Sequence, residues 1–155
     1  MMRRMPGQGG LYAVTDGPRS DLLAVCEAAL AGGARLLQYR DKNSPASRRL
    51  REARTLRALC VRYDVPLIIN DDVALCRAIG AAGVHLGKDD CDIGAARSAL
   101  GPKAIIGVSC YDNIRRARAL ASAGADYLAF GAFFPSPTKP KAPSAPLDLL
   151  PQSAS

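Results

Sequence analysis

Short apolar segments alternate with longer amphipathic segments six times along the chain. The apolar segments contain four to seven residues, which is typical of strands buried on both faces of a parallel sheet. The amphipathic segments place apolar residues at helical spacing, as at Leu50, Ala53, Leu56 and Leu59 in a helix predicted for 45–63. The predicted strands are 11–15, 34–39, 65–70, 84–87, 104–109 and 126–132. This order predicts an α/β fold built from repeated βα units.

The ends of the predicted helices carry capping signals. Residues that can cap a helix N-terminus precede five of the helical segments, at Asp21, Ser44, Asp72, Asp92 and either Asp112 or Asn113. Glycines at 32–33, 83 and 124 stand where a left-handed residue would end a helix. Repeated βα units form either a doubly wound open sheet or a barrel. Neither a GxGxxG after the first strand nor a Walker loop is present, which disfavours the nucleotide-binding open sheets.

Polar residues follow the carboxyl ends of successive strands, and their placement favours the barrel. They are Gln38, Arg40, Lys42, Asn70, Asp71, Asp89, Asp90, Ser109, Ser136, Thr138 and Lys139. In a parallel barrel those ends meet at one rim, where active sites are built. The sequence therefore favours a parallel barrel, with six βα units along the chain.

Composition limits the class of partner. The formal charge of +7 fits either nucleic acid or a phosphorylated ligand. Six arginines between positions 48 and 62 lie on one predicted helix, where a solvated face is the favoured interpretation over nucleic-acid binding. No apolar run approaches the roughly 20 residues of a membrane span. The five cysteines form no CxxC pair, which favours reduced thiols in the cytoplasm.

The predicted rim has residues suited to metal-assisted chemistry on a diphosphate ester. Asp71 and Asp90 are plausible ligands for Mg²⁺, which usually takes one or two carboxylates together with substrate phosphates. Arg40, Lys42 and Lys139 supply positive charge for a diphosphate. The simpler interpretation of Asp71 is a helix N-cap. His85 lies inside a strand, where a hydrogen-bonded core or supporting histidine is favoured over a catalytic base.

Five motifs together resemble the thiamine-phosphate synthase family. They are QYRDK at 38–42, IINDD at 68–72, GVHLGKDD at 83–90, IGVSC at 106–110 and GAFFPSPTK at 131–139. The resemblance implies a TIM (β/α)₈-type barrel, here with about six of its eight βα units. It also implies an Mg²⁺-dependent transferase that joins hydroxymethylpyrimidine diphosphate to hydroxyethylthiazole phosphate, giving thiamine phosphate and diphosphate. It also implies a dissociative reaction, in which diphosphate leaves before the thiazole nitrogen attacks.

The same resemblance implies roles for particular residues. The metal ligands would be Asp71 and Asp90, and the catalytic residues Ser109 and Lys139. The substrate contacts would be Gln38, Tyr39, Arg40, Asp41, Lys42, Asn70, Ser109, Ser136, Pro137, Thr138 and Lys139. Within this set, 136–138 would meet the thiazole phosphate. Two positions depart from the family pattern, because Lys88 replaces a common glutamine and Ser136 a common threonine.

The seventh and eighth strands of the family have no counterpart in the sequence. We therefore expect a disordered leader at 1–10, an incomplete barrel at 11–150 and a tail at 151–155, as in a truncated synthase. The first and sixth strands would be sheet edges, which favour self-association. Three alternatives stay open: an inactive remnant that binds the pyrimidine diphosphate, a thiazole tautomerase-like barrel and, least favoured, a nucleic-acid binder.

Overall fold

Six parallel strands alternate with helices in the computed structural model, which describes residues 9–89, 92–134 and 144–153. The strands are β1 (Tyr12–Val14), β2 (Leu36–Tyr39), β3 (Leu67–Asn70), β4 (Gly83–Leu86), β5 (Ile105–Tyr111) and β6 (Tyr127–Phe130). The helices are α1 (Leu22–Ala31), α2 (Ala46–Arg62), α3 (Val73–Ile79), α4 (Ile93–Leu100), α5 (Ile114–Ser122) and α6 (Leu149–Ser153).

The strand order within the sheet is β1-β2-β3-β4-β5-β6, and each neighbouring pair is parallel. A doubly wound sheet would reverse its strand order, whereas here every unit adds its strand to the same side. The sheet is curled: Tyr12 on the first strand and Tyr127 on the last lie within hydrogen-bond distance of each other. The described residues therefore form part of a barrel, and the predicted barrel-type fold is confirmed.

Side chains alternate between the inside of the curl and the helices outside it. Leu36, Ile68 and Ile105 form an inner cluster, packed against Tyr12 and Tyr127. The alternate strand residues join the main core between the sheet and the helices, and they include Leu37, Tyr39, Leu67, Ile69, Val84, Ile106 and Val108. This period of two explains how neighbouring residues of one strand serve different layers.

Two predicted helix ends were placed on the wrong residue. The N-cap of α2 is Pro45 rather than Ser44, and the helix begins at Ala46. The left-handed residue after α3 is Gly80, with φ of 62°, rather than Gly83. Gly83 lies within β4 against the backbone of Ile105, where a Cβ atom would clash.

The other predicted helix ends agree with the structure only in part. Asp72, Asp92 and Asn113 cap their helices through side-chain oxygens, as predicted for the first two and as one of two options for the third. Asp21 precedes α1, but its carboxylate accepts hydrogen bonds from Arg19 instead of the helix backbone. The short helix α6 begins at Leu149 and continues through Pro151, which its first turn tolerates.

Several predictions concern residues outside the described ranges. They fall on residues 1–8 of the leader, Asp90, Cys91, the loop 135–140 with Ser136, Pro137, Thr138 and Lys139, and the end of the tail at 154–155. Among the described residues, none of the helices is both long and apolar enough to cross a membrane.

Candidate active site at the barrel rim

A cavity of about 650 Å³ opens at the carboxyl ends of the strands. Its wall includes six of the predicted site residues, namely Gln38, Arg40, Lys42, Asn70, Asp71 and Ser109. They come from β2, β3 and β5 and from the turns that follow the first two. The parallel strands bring these residues together, as the sequence pattern predicted.

Thr15 holds the backbone of Arg40 at the start of the loop after β2. Its hydroxyl donates to the Arg40 carbonyl at 2.9 Å and accepts from the Arg40 N–H at 2.7 Å. Only 7% of Thr15 is exposed. The β1 end therefore fixes the backbone from which the Arg40 guanidinium extends.

Tyr39 lies on the helix side of the sheet, between two residues that line the cavity. It is 3% exposed, and its hydroxyl donates to Glu52 Oε2 on α2 at 2.8 Å. Burial, followed by the neighbouring carboxylate, raises the pKa of the Tyr39 hydroxyl. This placement follows from strand alternation, because Gln38 faces inward and its successor faces outward. A substrate-binding role for Tyr39 stays a prediction.

Asp41 organises the loop that carries Lys42. Its Oδ1 accepts the backbone N–H groups of Asn43 and Ser44, each at 2.9 Å. Burial alone would raise the pKa of Asp41, but the hydrogen bonds from Ser44 and Asn43 outweigh it and lower the pKa. Its Oδ2 is buried without a hydrogen-bond partner among the described residues. The geometry gives Asp41 a structural role, and its predicted contact with substrate stays a prediction.

Two successive carboxylates after β3 have different roles. Asp72 caps α3 by accepting from the Leu75 N–H at 2.8 Å, and it pairs with Arg49 at 3.1 Å. Asp71 has a left-handed backbone with φ of 62° and lines the cavity. The N-cap of α3 is therefore Asp72, and the simpler interpretation of Asp71 as a helix cap does not hold.

Asp71 is linked to two other residues of the cavity wall. Its Oδ2 lies 3.0 Å from Lys42 Nζ and accepts from Asn70 Nδ2 at 2.7 Å. The link joins the turns that follow β2 and β3. A carboxylate beside a lysine in an open cavity is suited to a cation and an anion that bind together.

The described residues offer a partial fit to Mg²⁺. No group of three or more His, Cys, Asp or Glu side chains within 9–89, 92–134 and 144–153 is arranged to hold a metal ion. Mg²⁺ commonly takes only one or two protein carboxylates and completes its octahedron with phosphate oxygens and water. Asp71 is therefore compatible with such a site, whose second predicted ligand, Asp90, lies outside the described residues.

A continuous series of hydrogen bonds crosses the inside of the barrel at the floor of the cavity. Gln38 Nε2 donates to Tyr12 Oη at 2.6 Å, and Tyr12 Oη lies 2.7 Å from Tyr127 Oη. His85 Nδ1 lies 2.9 Å from Tyr127 Oη, and its Nε2 lies 2.9 Å from Ser109 Oγ. His85 is therefore a buried residue with both ring nitrogens bonded, as the sequence favoured.

Three tyrosines at or below the cavity, Tyr12, Tyr111 and Tyr127, were not among the predicted site residues. Tyr12 and Tyr111 line the cavity, whereas Tyr127 contacts Tyr12 and His85 from below. For Tyr12, the sequence did contain a signal: its position in the first strand places its side chain on the same face of the sheet as Gln38. Tyr12 pairs with Leu36 in the sheet register, two positions before Gln38.

Comparison with known proteins identifies the family. The family model described as thiamine monophosphate synthase matches residues 11–155. The chain belongs to the thiamine monophosphate synthase family. The predicted family, with its transferase activity in thiamine biosynthesis, is thereby confirmed at the family level.

Curated members of the family are similar over most of this chain. The thiamine-phosphate synthase of Chromobacterium violaceum is 58% identical over 151 residues, which cover 96% of this chain and 73% of that protein. The thiamine-phosphate synthase of Marinobacter nauticus is 56% identical over 144 residues, covering 91% and 65% of the two chains.

Solved structures agree with the barrel fold. A thiamine phosphate pyrophosphorylase from Pyrococcus furiosus superposes with a TM-score of 0.72 at 38% identity, covering 81% of this chain and 61% of that one. A 3-hexulose-6-phosphate synthase superposes with a TM-score of 0.54 at 16% identity, which supports the fold alone. The chain thus spans 61% to 73% of the lengths of these three family members.

Proposed function

We propose that this chain acts as a thiamine-phosphate synthase, joining hydroxymethylpyrimidine diphosphate to hydroxyethylthiazole phosphate. One observation carries the proposal: six residues predicted for the pyrimidine-diphosphate and metal sites line a single cavity in a chain of this family. In the reaction, the bond between the pyrimidine methylene carbon and the diphosphate oxygen breaks, and the oxygen keeps the electron pair. The thiazole nitrogen then supplies the pair for the new carbon–nitrogen bond.

The charged residues of the cavity are suited to the departing diphosphate. Arg40 and Lys42 extend from the loop after β2, and we assign them to its phosphate oxygens. Fixed positive charge that meets negative charge as it develops is a major source of catalysis. Lys139 shares this role in the proposal, and 136–138 contacts the thiazole phosphate. We assign Gln38, Asn70 and Ser109 to the pyrimidine half and its linkage to the diphosphate.

Mg²⁺ is part of the proposal. Asp71 and Asp90 would hold it, and bound Mg²⁺ would supply additional positive charge to the diphosphate. The contact of Asp71 with Lys42 supports a shared binding region for the metal and the anion.

Cellular context completes the proposal. The small-molecule substrates suit a cytoplasmic enzyme, and the buried thiols of Cys26, Cys76 and Cys110 fit a reducing compartment. Self-association through β1 and β6 remains a prediction, and sedimentation of the purified chain tests it.

Product formation with purified components tests the proposed function. The chain, both substrates and Mg²⁺ should yield thiamine phosphate, detected by chromatography and mass spectrometry. Asp71→Ala and Arg40→Met should each lower kcat/KM at least a hundredfold, on the order of 3 kcal/mol. Arg51→Met on exposed α2 is the matched control and should leave the rate unchanged.

Two results would contradict the proposal. Product at the level of an enzyme-free blank would reject the synthase activity, and Mg²⁺-dependent binding of the pyrimidine diphosphate without turnover would identify a binding remnant. Equal rates for Asp71→Ala and the unmodified chain would remove Asp71 from the metal site.

A further inference from the structure

The carboxyl end of β5 departs from regular strand pairing. Ser109 pairs with Ala129 on β6. The next pair joins Tyr111 to Phe130, so Cys110 is an extra residue on β5. Such β-bulges bend a strand and are common next to active sites, where they change the direction of a side chain. Ser109 and Tyr111 both line the cavity, so the bulge lies in the part of β5 that forms its wall.

Tyr111 ends the bulge in a left-handed backbone, with φ of 57°. Bulky side chains rarely adopt this conformation, and it persists only where the surrounding structure holds it. The Gly131 N–H donates to the Tyr111 carbonyl at 3.1 Å. The Asn113 N–H donates to the Cys110 carbonyl at 3.0 Å. The end of β5 therefore depends on contacts from outside the strand.

Arg116 on α5 supplies a side-chain contact to the same segment. Its Nε donates to the Ser109 carbonyl at 3.0 Å. Its own backbone N–H donates at 2.9 Å to Oδ1 of Asn113, the residue that caps α5. A hydrogen bond from a charged donor is stronger than one between neutral groups. Arg116 thus fastens the first turn of α5 to the residue of β5 that directly precedes the bulge.

Arg116 makes this contact from the helix side of the sheet. It is not part of the cavity wall formed by the described residues, whereas Ser109 is. The Ser109 hydroxyl faces the inside of the barrel, with Oγ 2.9 Å from His85 Nε2. Because the carbonyl and the hydroxyl belong to one residue, rotation of the Ser109 backbone would move the hydroxyl relative to His85. The contact therefore connects α5 to a hydroxyl in the cavity.

We propose that Arg116 is a positioning residue that acts through Ser109. By holding the Ser109 carbonyl, it keeps the bulged end of β5 in place and fixes the position of the Ser109 hydroxyl in the cavity. The effect on catalysis rests on the proposed function, whereas the effect on the ligand-free cavity does not. The inference requires no contact between Arg116 and a ligand.

The single histidine of the chain reports on Ser109 without any ligand. Because His85 is the only histidine, ¹⁵N-histidine labelling gives one imidazole to assign by NMR, and its Nε2 faces Ser109. In Arg116→Met we expect the imidazole resonances to shift, because the Ser109 hydroxyl moves away from Nε2. An unchanged imidazole spectrum in Arg116→Met would overturn the inference.

Two further arginine variants separate this effect from loss of charge and from loss of stability. Arg118→Met removes an exposed arginine from the same helix. Arg97→Met removes an arginine that binds Asp126 at the amino end of β6, far along the strand from the bulge. Both variants should leave the His85 resonances unchanged. A shift in either of them as large as in Arg116→Met would show a general effect on the fold and overturn the inference.

A double-mutant cycle tests whether Arg116 acts through Ser109 during turnover. Arg116→Met should lower kcat/KM for thiamine phosphate formation about tenfold, as for a misplaced catalytic group. In a Ser109→Ala background the same change should lower it less than about twofold, because the hydroxyl that Arg116 positions is already absent. Equal losses in both backgrounds would overturn the inference, as would an unchanged rate in Arg116→Met.

The two measurements separate this inference from the proposed function. Absence of turnover in the unmodified chain would count against the proposed function, and the His85 resonances would then decide the inference alone. An active chain with unchanged resonances in Arg116→Met would keep the proposed function and reject the role of Arg116.

Discussion

The hydroxyl oxygens of Tyr12 and Tyr127 lie 2.7 Å apart, although 115 positions separate the two residues in the sequence. Their rings meet edge to face, with centroids 5.8 Å apart. Tyr12 belongs to β1 and Tyr127 to β6, the two ends of the strand order. The contact therefore depends on the curl of the whole sheet, and the packing around Tyr127 should be sensitive to small changes.

Gly107→Ala should destabilise the fold through the Tyr127 ring. A Cβ atom at Gly107 would overlap that ring, so the ring must move. We expect a loss of about 1–3 kcal/mol in the free energy of unfolding, measured by urea titration. The loss should shrink in a Tyr127→Leu background, where the ring is absent. Equal losses in both backgrounds would contradict this account.

Lys42→Met should affect cation and anion binding in opposite directions. Lys42 neutralises Asp71 in the ligand-free chain and also repels a divalent cation. We expect Mg²⁺ affinity to rise about threefold because this repulsion is lost. Diphosphate affinity should fall about tenfold with the loss of a charged contact. Calorimetry with MgCl₂ and with diphosphate measures both, and Lys103→Met on the exposed surface is the control. A fall in Mg²⁺ affinity would argue against the ion pair.

Asp41→Ala should reduce stability in a pH-dependent manner. The lowered pKa of Asp41 means that its carboxylate stabilises the folded state above the unfolded-state pKa near 4. This contribution is lost as the pH falls through the lower, folded-state pKa. We expect a loss of about 2 kcal/mol at pH 7, from two hydrogen bonds to a charged group. The difference from the unmodified chain should decline in urea titrations at progressively lower pH below 4.

The control for this prediction is Asp148→Ala, at an exposed position. Its effect should be small at every pH. A difference for Asp41→Ala that stays constant down to pH 2 would show that the carboxylate charge is not responsible.

Cys76 should resist alkylation in the folded protein. Burial raises the pKa of its thiol to about 12, and Sγ donates to the Gly83 carbonyl at 3.2 Å. Because the thiolate is the reactive form, iodoacetamide at pH 8 should modify Cys76 at least about a hundredfold more slowly than in urea. Peptide mass spectrometry measures the rate. Similar rates in both conditions would show that the thiol is accessible.

The sequence predicted the barrel and much of its rim because both depend on local patterns. Apolar segments located the strands, and polar residues at their ends located the cavity wall. Tyr39 shows a limit of this reasoning. The motif at 38–42 groups adjacent residues, but the strand directs Gln38 into the barrel and Tyr39 toward the helices. Gly83 shows a similar limit: its role is close packing against Ile105, a relationship that local sequence does not contain. The Tyr12–Tyr127 contact requires the complete curl and was missed for that reason.

The left-handed backbone at Asp71 restricts which residue types can replace aspartate at this position. Asparagine and aspartate enter that conformation more readily than other side chains, and glycine does so freely. A glutamate could supply the same charge, but it would carry added backbone strain. Exchange between the two acidic residue types, which is simple on an open surface, is therefore hindered at position 71. The shape of the turn limits the variation available there before any requirement of catalysis acts.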